Sequence, residues 1–401
     1  MTIGELEENP HRVYRQHRPL TPVIKRDDGA YIAIRAADVE KLATDARTRQ
    51  VETELVVSRG VSEGPLFDFV KYSLLMSNGT EHRRRRAPLA RTFAVKLIAE
   101  LRPQIRAIAA ELLDDCVVRG GMHLVADYCG LIPARVIGTM LGLAAADIPE
   151  FTRHAYSLAR VFTPAFSREM VPEVQSSAQQ LMRYVDALLN DRSRYPRNDF
   201  LTSYLGTIGE PEGLSPVEAI TQIVALIVGG SDTTRTAMAI QISLLLQHRE
   251  QWQALCGNPA LIPGAVLESL RYEPSVGSFP RFTLEDLDID GWVVPRSRIL
   301  IMSTLSAMRD PALYADPDKF DIARADIARR HPVFGAGAHR CLGEALAKAE
   351  LEEGLAALAA RLPDLELAGE PPAVYGSGGI RSIQDMRVSR SVTSWQAGVA
   401  R

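Results

Sequence analysis

The run Phe334-Gly335-Ala336-Gly337-Ala338-His339-Arg340-Cys341-Leu342-Gly343 constrains this chain more than any other feature. It reads F-G-x-G-x-H-x-C-x-G, six fixed positions in ten, two of them the rare types His and Cys. At ordinary residue frequencies such a run arises by chance in about one chain in a million. The stretch behind it, Leu342 to Ala360, is rich in Ala, Leu, Glu and Lys, all strong helix formers. Cys341 is therefore expected at a helix N-terminus, where the dipole and free N–H groups favour a thiolate. Glycines before it let the backbone turn tightly and approach a flat group without Cβ clashes. A cysteine taken alone is most often a small buried hydrophobe. Cys116, Cys129, Cys256 and Cys341 show no C-x₂₋₄-C spacing, so a structural zinc site is a poor competitor.

The 401 residues, 46% apolar and 24% charged, suit a soluble globular protein with a large core. A net charge of −3 gives no general electrostatic case for nucleic acid or membrane binding. Scattered cysteines and a polar start from Met1 to Arg18 point to a reducing compartment, and no run of eighteen apolar residues offers a membrane span. The pattern along the chain is mainly α with a small β-rich portion. A strand is expected at Tyr31–Ile34 and a short helix from about Ala36 to Thr44. Helices are expected over Leu97–Val118 and Val174–Leu189, with loops at 191–199 and 206–216. Ser215-Pro216-Val217-Glu218 is a capping box with proline at the first helical position. The helix it opens is expected to reach about His248 and, apolar on most sides from Ile220 to Val228, to cross the core. β structure is expected between Phe279 and Met302, with Asp290-Gly291 as a hairpin turn. Short joins give no reason to cut the chain, so 1–401 reads as a single domain.

Three further constellations each have an ordinary and a functional reading. Gly229-Gly230-Ser231-Asp232-Thr233-Thr234 lies in the long helix, where two glycines cost about 1 kcal/mol each. They either kink it for close packing or open a groove. Glu268-Ser269-Leu270-Arg271 puts a carboxylate and a guanidinium on one helix face, a common surface pair. In Glu81-His82-Arg83-Arg84-Arg85-Arg86, the i,i+4 spacing stacks His82 and Arg86 on one face, within what is otherwise a solvated basic run.

Taken together, these motifs resemble those of the cytochrome P450 family, and in its order they cover essentially the whole chain. The resemblance implies that fold, with a b-type haem between the long central helix and the cysteine-loop helix. Cys341 would be the axial ligand of the iron. Phe334, Gly335, His339 and Gly343 would shape the loop around it. No C-x-x-C-H occurs, so covalent attachment of the haem is not indicated. Gly229 and Gly230 would open a groove for dioxygen, Asp232 would relay protons inward, and Thr233 would hydrogen-bond the oxygen being reduced. His82, Arg86, Arg281 and His339 would hold the haem propionates, and Phe93 keeps the family's register, eleven residues beyond His82. Glu268 and Arg271, with Arg324, would tie a helix to the loop leading into the cysteine and serve folding and haem retention. Met308 stands where many relatives carry asparagine, a departure expected to tune packing only.

By family position, apolar substrate-pocket walls are expected from Phe67, Phe69, Tyr72, Phe162, Phe166, Ala225, Val228, Val276, Gly277, Phe279 and Ile380. Each is equally an ordinary core residue on its own. Arg83, Arg84, Arg85, Arg340 and Lys348 are expected to form a cationic redox-partner face on the thiolate side. The implied reaction is monooxygenation of an apolar small molecule: hydroxylation, with epoxidation or dealkylation as variants. Electrons would come from NAD(P)H through a separate reductase and an iron–sulfur ferredoxin or flavodoxin. Neither a G-x-G-x-x-G turn nor a four-cysteine cluster is present, so no fused flavin or iron–sulfur domain is expected. The resemblance is to soluble bacterial members, which implies a cytoplasmic monomer. A haem-thiolate enzyme of non-monooxygenase type (oxidative coupling, dehydration, isomerisation) and a haem gas sensor are the alternatives. The intact Asp232-Thr233 pair argues against both.

Overall fold

The computed structural model describes residues 1–93, 95–118, 121–163, 165–209, 213–327 and 332–390. Eight helices carry the architecture: α1 (Gly79–Thr92), α2 (Val95–Val118), α3 (Leu131–Leu141), α4 (Ile148–Ala159), α5 (Val171–Arg194), α6 (Pro216–Gln247), α7 (Ile262–Tyr272) and α8 (Glu344–Arg361). Helix α6 is the axis. Its capping box forms as expected: Ser215 Oγ accepts from Glu218 N–H at 3.4 Å, and a Glu218 carboxylate oxygen accepts from Ser215 N–H at 3.0 Å. The two glycines do not interrupt it. It runs unbroken for 32 residues, most of them buried, with α3, α4, α5, α7 and α8 packed around it.

The small β portion lies to one side. Strands β1 (Val23–Lys25), β2 (Tyr31–Ala33), β3 (Thr48–Gln50), β4 (Ser278–Thr283) and, past a hairpin of β5 (Leu287–Ile289) and β6 (Trp292–Val294), β7 (Ile299–Ser303) are the pieces. The main sheet has the order β1-β2-β7-β4-β3, with only β2 and β7 parallel. The hairpin turn is the expected one: Asp290 (φ 49°) and Gly291 (φ 82°) both take the left-handed conformation that a tight two-residue hairpin loop requires. A three-stranded sheet joins Met122–His123, Leu365–Leu367 and Arg387–Arg390.

The expected helices over 36–44, 97–118 and 174–189 all form, the last running on to Arg194 into what composition marks as loop. Of the loop expected at 206–216, residues 210–212 lie outside the described residues, as do 391–401 of the single-domain reading. Near 125–129 the chain makes a π-helical turn, Val125–Cys129, that no composition signal announces. Among the described residues no helix is long and apolar enough to cross a membrane.

Candidate active site

The face of α6 turned to the interior is set by helical phase. Ala225 and Leu226, Gly229 and Gly230, Thr233 and Thr234, then Ala237 recur one turn apart and line a cavity of about 780 Å³. Cys341, Phe334, Gly335, His339 and Gly343 line it from the opposite side. The loop holding the sulfur is closed by Cys341 N–H donating to the Phe334 carbonyl at 2.8 Å. Gly335 (φ 72°) and Gly337 (φ 63°) take left-handed backbone there, and a Cβ at Gly337 would lie 2.8 Å from Thr44 Cγ2. Cys341 is exposed and lines the cavity. Desolvation by the surrounding protein nonetheless pushes its thiol up, against the Gly343 N–H and the Arg86 and Arg340 charges. The helix end alone therefore does not make the thiolate that the sequence reading expects; a cation at the sulfur has to supply the rest.

The two glycines of α6 divide the two readings between them. A Cβ on Gly230 would sit 3.1 Å from Ile137 Cδ1, so this glycine serves close packing of α3 on α6. A Cβ on Gly229 would meet nothing within 4 Å. Thr233 lines the cavity and its hydroxyl donates to the Gly229 carbonyl at 2.8 Å. Asp232, one residue off that face, is buried outside the cavity lining and ion-paired with Arg235. The Arg235 guanidinium stacks 4.3 Å from the centroid of the Tyr156 ring. Burial raises the Asp232 carboxyl and the Arg235 charge opposes it.

At one rim stands a set of cationic and imidazole groups. The His82 and His339 rings lie with centroids 3.9 Å apart, and His82 Nε2 is buried with no hydrogen-bond partner. Burial, then the nearby arginines, lowers His82 to about 4; burial, then His82 and the arginines, lowers His339 to about 3. Arg86 donates to the Arg340 carbonyl at 2.6 Å, and Arg281 to Thr48 Oγ1 at 3.0 Å and its carbonyl at 3.1 Å. No carboxylate pairs with Arg86 or Arg281 among the described residues. An orphaned imidazole and two unpaired guanidiniums beside a thiol-floored apolar cavity fit a flat ligand with anionic edge groups and a thiophilic metal at its centre. The haem expected from the motifs meets all three conditions. Arg86→Ala and Arg281→Ala are each expected to speed haem loss to a scavenger protein roughly tenfold or more, the size of a hydrogen bond to a charged group. Loss at the wild-type rate in both would remove the propionate assignment.

Glu268, Arg271 and Arg324 come together as the sequence reading expects. Arg271 and Glu268 are completely buried and doubly hydrogen-bonded, at 2.6 and 2.8 Å, and Arg324 reaches the same carboxylate at 3.2 Å. Arg271 also donates to the carbonyls of Met308, Pro317 and Lys319, and Glu268 accepts from Asp321 N–H at 2.8 Å. Met308 is fully buried, its sulfur 3.8 Å from the Tyr314 hydroxyl.

Several expectations need correction. Arg84 and Arg85 are not available surface cations: both grip Glu218, at 2.5 and 3.0 Å, locking α1 to the start of α6, and Arg85 is buried. Arg340 and Lys348 share Glu344 at 2.7 and 2.8 Å, and Arg83 is exposed. Phe162, Phe166, Ala225, Val228, Val276, Phe279 and Ile380 do line the cavity, but Phe67, Phe69, Tyr72 and Gly277 do not. Phe69 braces Phe162 edge-on from behind at 6.1 Å, and Phe67 packs against the core. Tyr72 carries Arg85 5.7 Å from the centroid of its ring. Gly277 is squeezed between Arg381, Leu305 and the Ser377 carbonyl, where any Cβ would be crowded at 3.1–3.2 Å. Residues missed by sequence reasoning are Leu74, Leu75, Arg59 and Glu350, all of which line the cavity. Glu350 is fully buried, with one carboxyl oxygen unpartnered, and burial holds its carboxyl well above the usual range. A glutamate among the buried apolar positions of α8 was the available signal.

The family model for Cytochrome P450 matches residues 260–361. "Cytochrome P450-pinF1, plant-inducible" of Rhizobium radiobacter is 42% identical over 389 residues, 97% of this chain and 92% of that protein. "Nocardicin C N-oxygenase" of Nocardia uniformis subsp. tsuyamanensis is 33% identical over 356 residues, 86% of this chain and 85% of that one. Among solved structures, P450BioI in complex with an acyl carrier protein ligated to hexadec-9Z-enoic acid superposes with a TM-score of 0.89. It is 28% identical, with 96% of this chain and 99% of that chain covered.

Proposed function

The chain belongs to the cytochrome P450 family, and from that premise we propose that it is a monooxygenase acting on an apolar small molecule. The overall change is RH + O₂ + NAD(P)H + H⁺ → ROH + H₂O + NAD(P)⁺, the two electrons reaching the site through a separate reductase and a ferredoxin or flavodoxin. The observation that carries this is the facing of Thr233 and Cys341 across one apolar cavity. The family implies a haem; when bound there it supplies dioxygen binding and the redox chemistry that leaves one oxygen atom for the substrate.

The chain's own residues do the rest. Cys341 supplies the sulfur ligand. Arg86 and Arg281 would neutralise the propionates of a b-type haem, and His82 and His339, neutral at pH 7, would orient them by hydrogen bonding. The apolar walls at Phe162, Ala225, Val276 and Ile380 exclude water and hold the substrate by burial. Thr233 positions a proton at its hydroxyl. Asp232, its carboxyl raised by burial against the Arg235 charge, relays a proton inward by exchanging Arg235 for the threonine side of the helix. Of the surface cations first considered for the redox partner, Arg83, Arg340 and Lys348 remain available, two of them moderated by Glu344.

The test is turnover under ¹⁸O₂ with a reductase and ferredoxin pair: one labelled atom in product and one in water is expected, and unlabelled product rejects the reading. Thr233→Ala is expected to bind substrate as before while sending most electrons to hydrogen peroxide. An unchanged ratio of product to NAD(P)H consumed would show that the hydroxyl has no part in proton delivery.

A further inference from the structure

The roof of the cavity carries a charge that the monooxygenase reading does not use. Arg59, in the turn after the short helix Glu54–Val57, lines the cavity together with Leu55, Thr163 and Phe166. Its Nε donates to the Phe166 carbonyl at 3.1 Å, and Nη1 makes a long contact of 3.4 Å with Ser58 Oγ. No carboxylate lies within ion-pair distance of Arg59 among the described residues, although its neighbours are matched: Arg49 takes Glu52 and Glu54, and Arg26 takes Asp28. A second guanidinium stands against the same turn. A Cβ on Gly60 would lie 4.0 Å from Arg168 Nε, and Arg168 has no ion pair among the described residues either. The adjacent Glu169 carboxyl is hydrogen-bonded by Ser167, with the Arg168 charge a weaker influence on it.

Arg59 thus brings to the cavity wall a positive charge with no carboxylate partner among the described residues, and such a charge attracts an anion. Holding the Phe166 carbonyl uses Nε alone. The Nη edge, held only by the long Ser58 contact, matches a carboxylate, which takes two parallel N–H donors. The remaining wall toward Cys341 is apolar, with Phe162, Ala225, Val276 and Ile380 between roof and sulfur face.

We propose that the substrate is an apolar carboxylic acid whose carboxylate is received by Arg59, flanked by Arg168, while its hydrocarbon part reaches toward Cys341. Arg59 is thus a specificity-determining residue, and the proposal rests on the monooxygenase reading for what happens at the far end. It is tested without turnover, so that it and that reading fail separately. The ferric holoprotein is titrated optically with a series of alkanoic and arylalkanoic acids and with their methyl esters, at low and high ionic strength.

The acids are expected to bind about tenfold more tightly than their esters at low salt, the size of a charge-assisted hydrogen bond, with the gap narrowing as salt screens the exposed roof. Arg59→Gln should abolish the acid–ester difference and leave the ester Kd unchanged. Arg59→Lys should keep part of it, Arg168→Gln should reduce it, and the exposed control Arg183→Gln should do nothing. Equal binding of acid and ester, an equal loss of both in Arg59→Gln (the mark of a clasp for the Phe166 segment), or no spectral response to any acid would each overturn the proposal. Acids that bind as described but give no oxygenated product would reject the monooxygenase reading alone.

Discussion

Cys341→Ser is expected to abolish oxygen insertion, lowering product formation by at least about a thousandfold, roughly 4 kcal/mol in the barrier. The argument is local. Burial already pushes the thiol up, and only the soft sulfur, paired with a cation in the cavity, yields an anion there at neutral pH. A serine hydroxyl has the same shape and far lower acidity, so the loop keeps its Phe334 carbonyl hydrogen bond and loses the ligand's electron push. The measurement pairs product yield with haem content and the optical spectrum. Haem retained with the thiolate signature gone and no product is the expected result. Product formed at more than a few per cent of wild type would overturn the central assignment, because no other cysteine lines the cavity among the described residues. Cys341→His separates ligation from reactivity: it can bind iron through nitrogen, and it too is expected to give no oxygenated product.

What could be read in the chain beforehand divides along physical lines. Features set by neighbours within a few residues were legible. Ser215 and Glu218 cap each other because the helix start leaves N–H groups unpaired, and Asp290-Gly291 turns because both residues tolerate positive φ. The cysteine loop was legible for the same reason, its glycines and His339 being fixed in a ten-residue frame. Which way a helical residue points was less so, because one residue is about 100° of phase. Asp232 thus turns to Arg235 while Thr233 faces the cavity, and Phe69 stands behind Phe162 while Leu74 and Leu75 reach the wall.

Long-range pairing was not legible at all. Arg84 and Arg85 look like a solvated basic run until the fold brings Glu218 to them across more than 130 positions. The unpaired state of Arg59 is the same kind of fact in reverse: it depends on which carboxylates the fold has already spent on Arg49 and Arg26.

Glu268→Ala is expected to cost about 3–5 kcal/mol of stability, enough to leave most of the protein unfolded or without haem on expression. The carboxylate is completely buried and accepts from Arg271 twice, from Arg324 and from Asp321 N–H. Removing it leaves the Arg271 guanidinium without its carboxylate and the Asp321 amide unpaired in a place water does not reach, while Arg324 keeps Asp326, and an uncompensated buried charge is what makes broken pairs expensive. The segment from Ala315 to Arg324 depends on the same centre, since Arg271 and Arg324 also hold its carbonyls at Asp316, Pro317 and Lys319. Loss at Glu268 therefore propagates toward the cysteine loop that follows. Glu268→Gln keeps the shape and one acceptor while discarding the charge, and it is expected to fall between wild type and alanine in denaturation midpoint and haem occupancy. Equal midpoints for wild type and Glu268→Ala holoprotein would mean that the network is dispensable and the loop is held by something else. A midpoint loss in glutamine as large as in alanine would locate the effect in charge and not in packing.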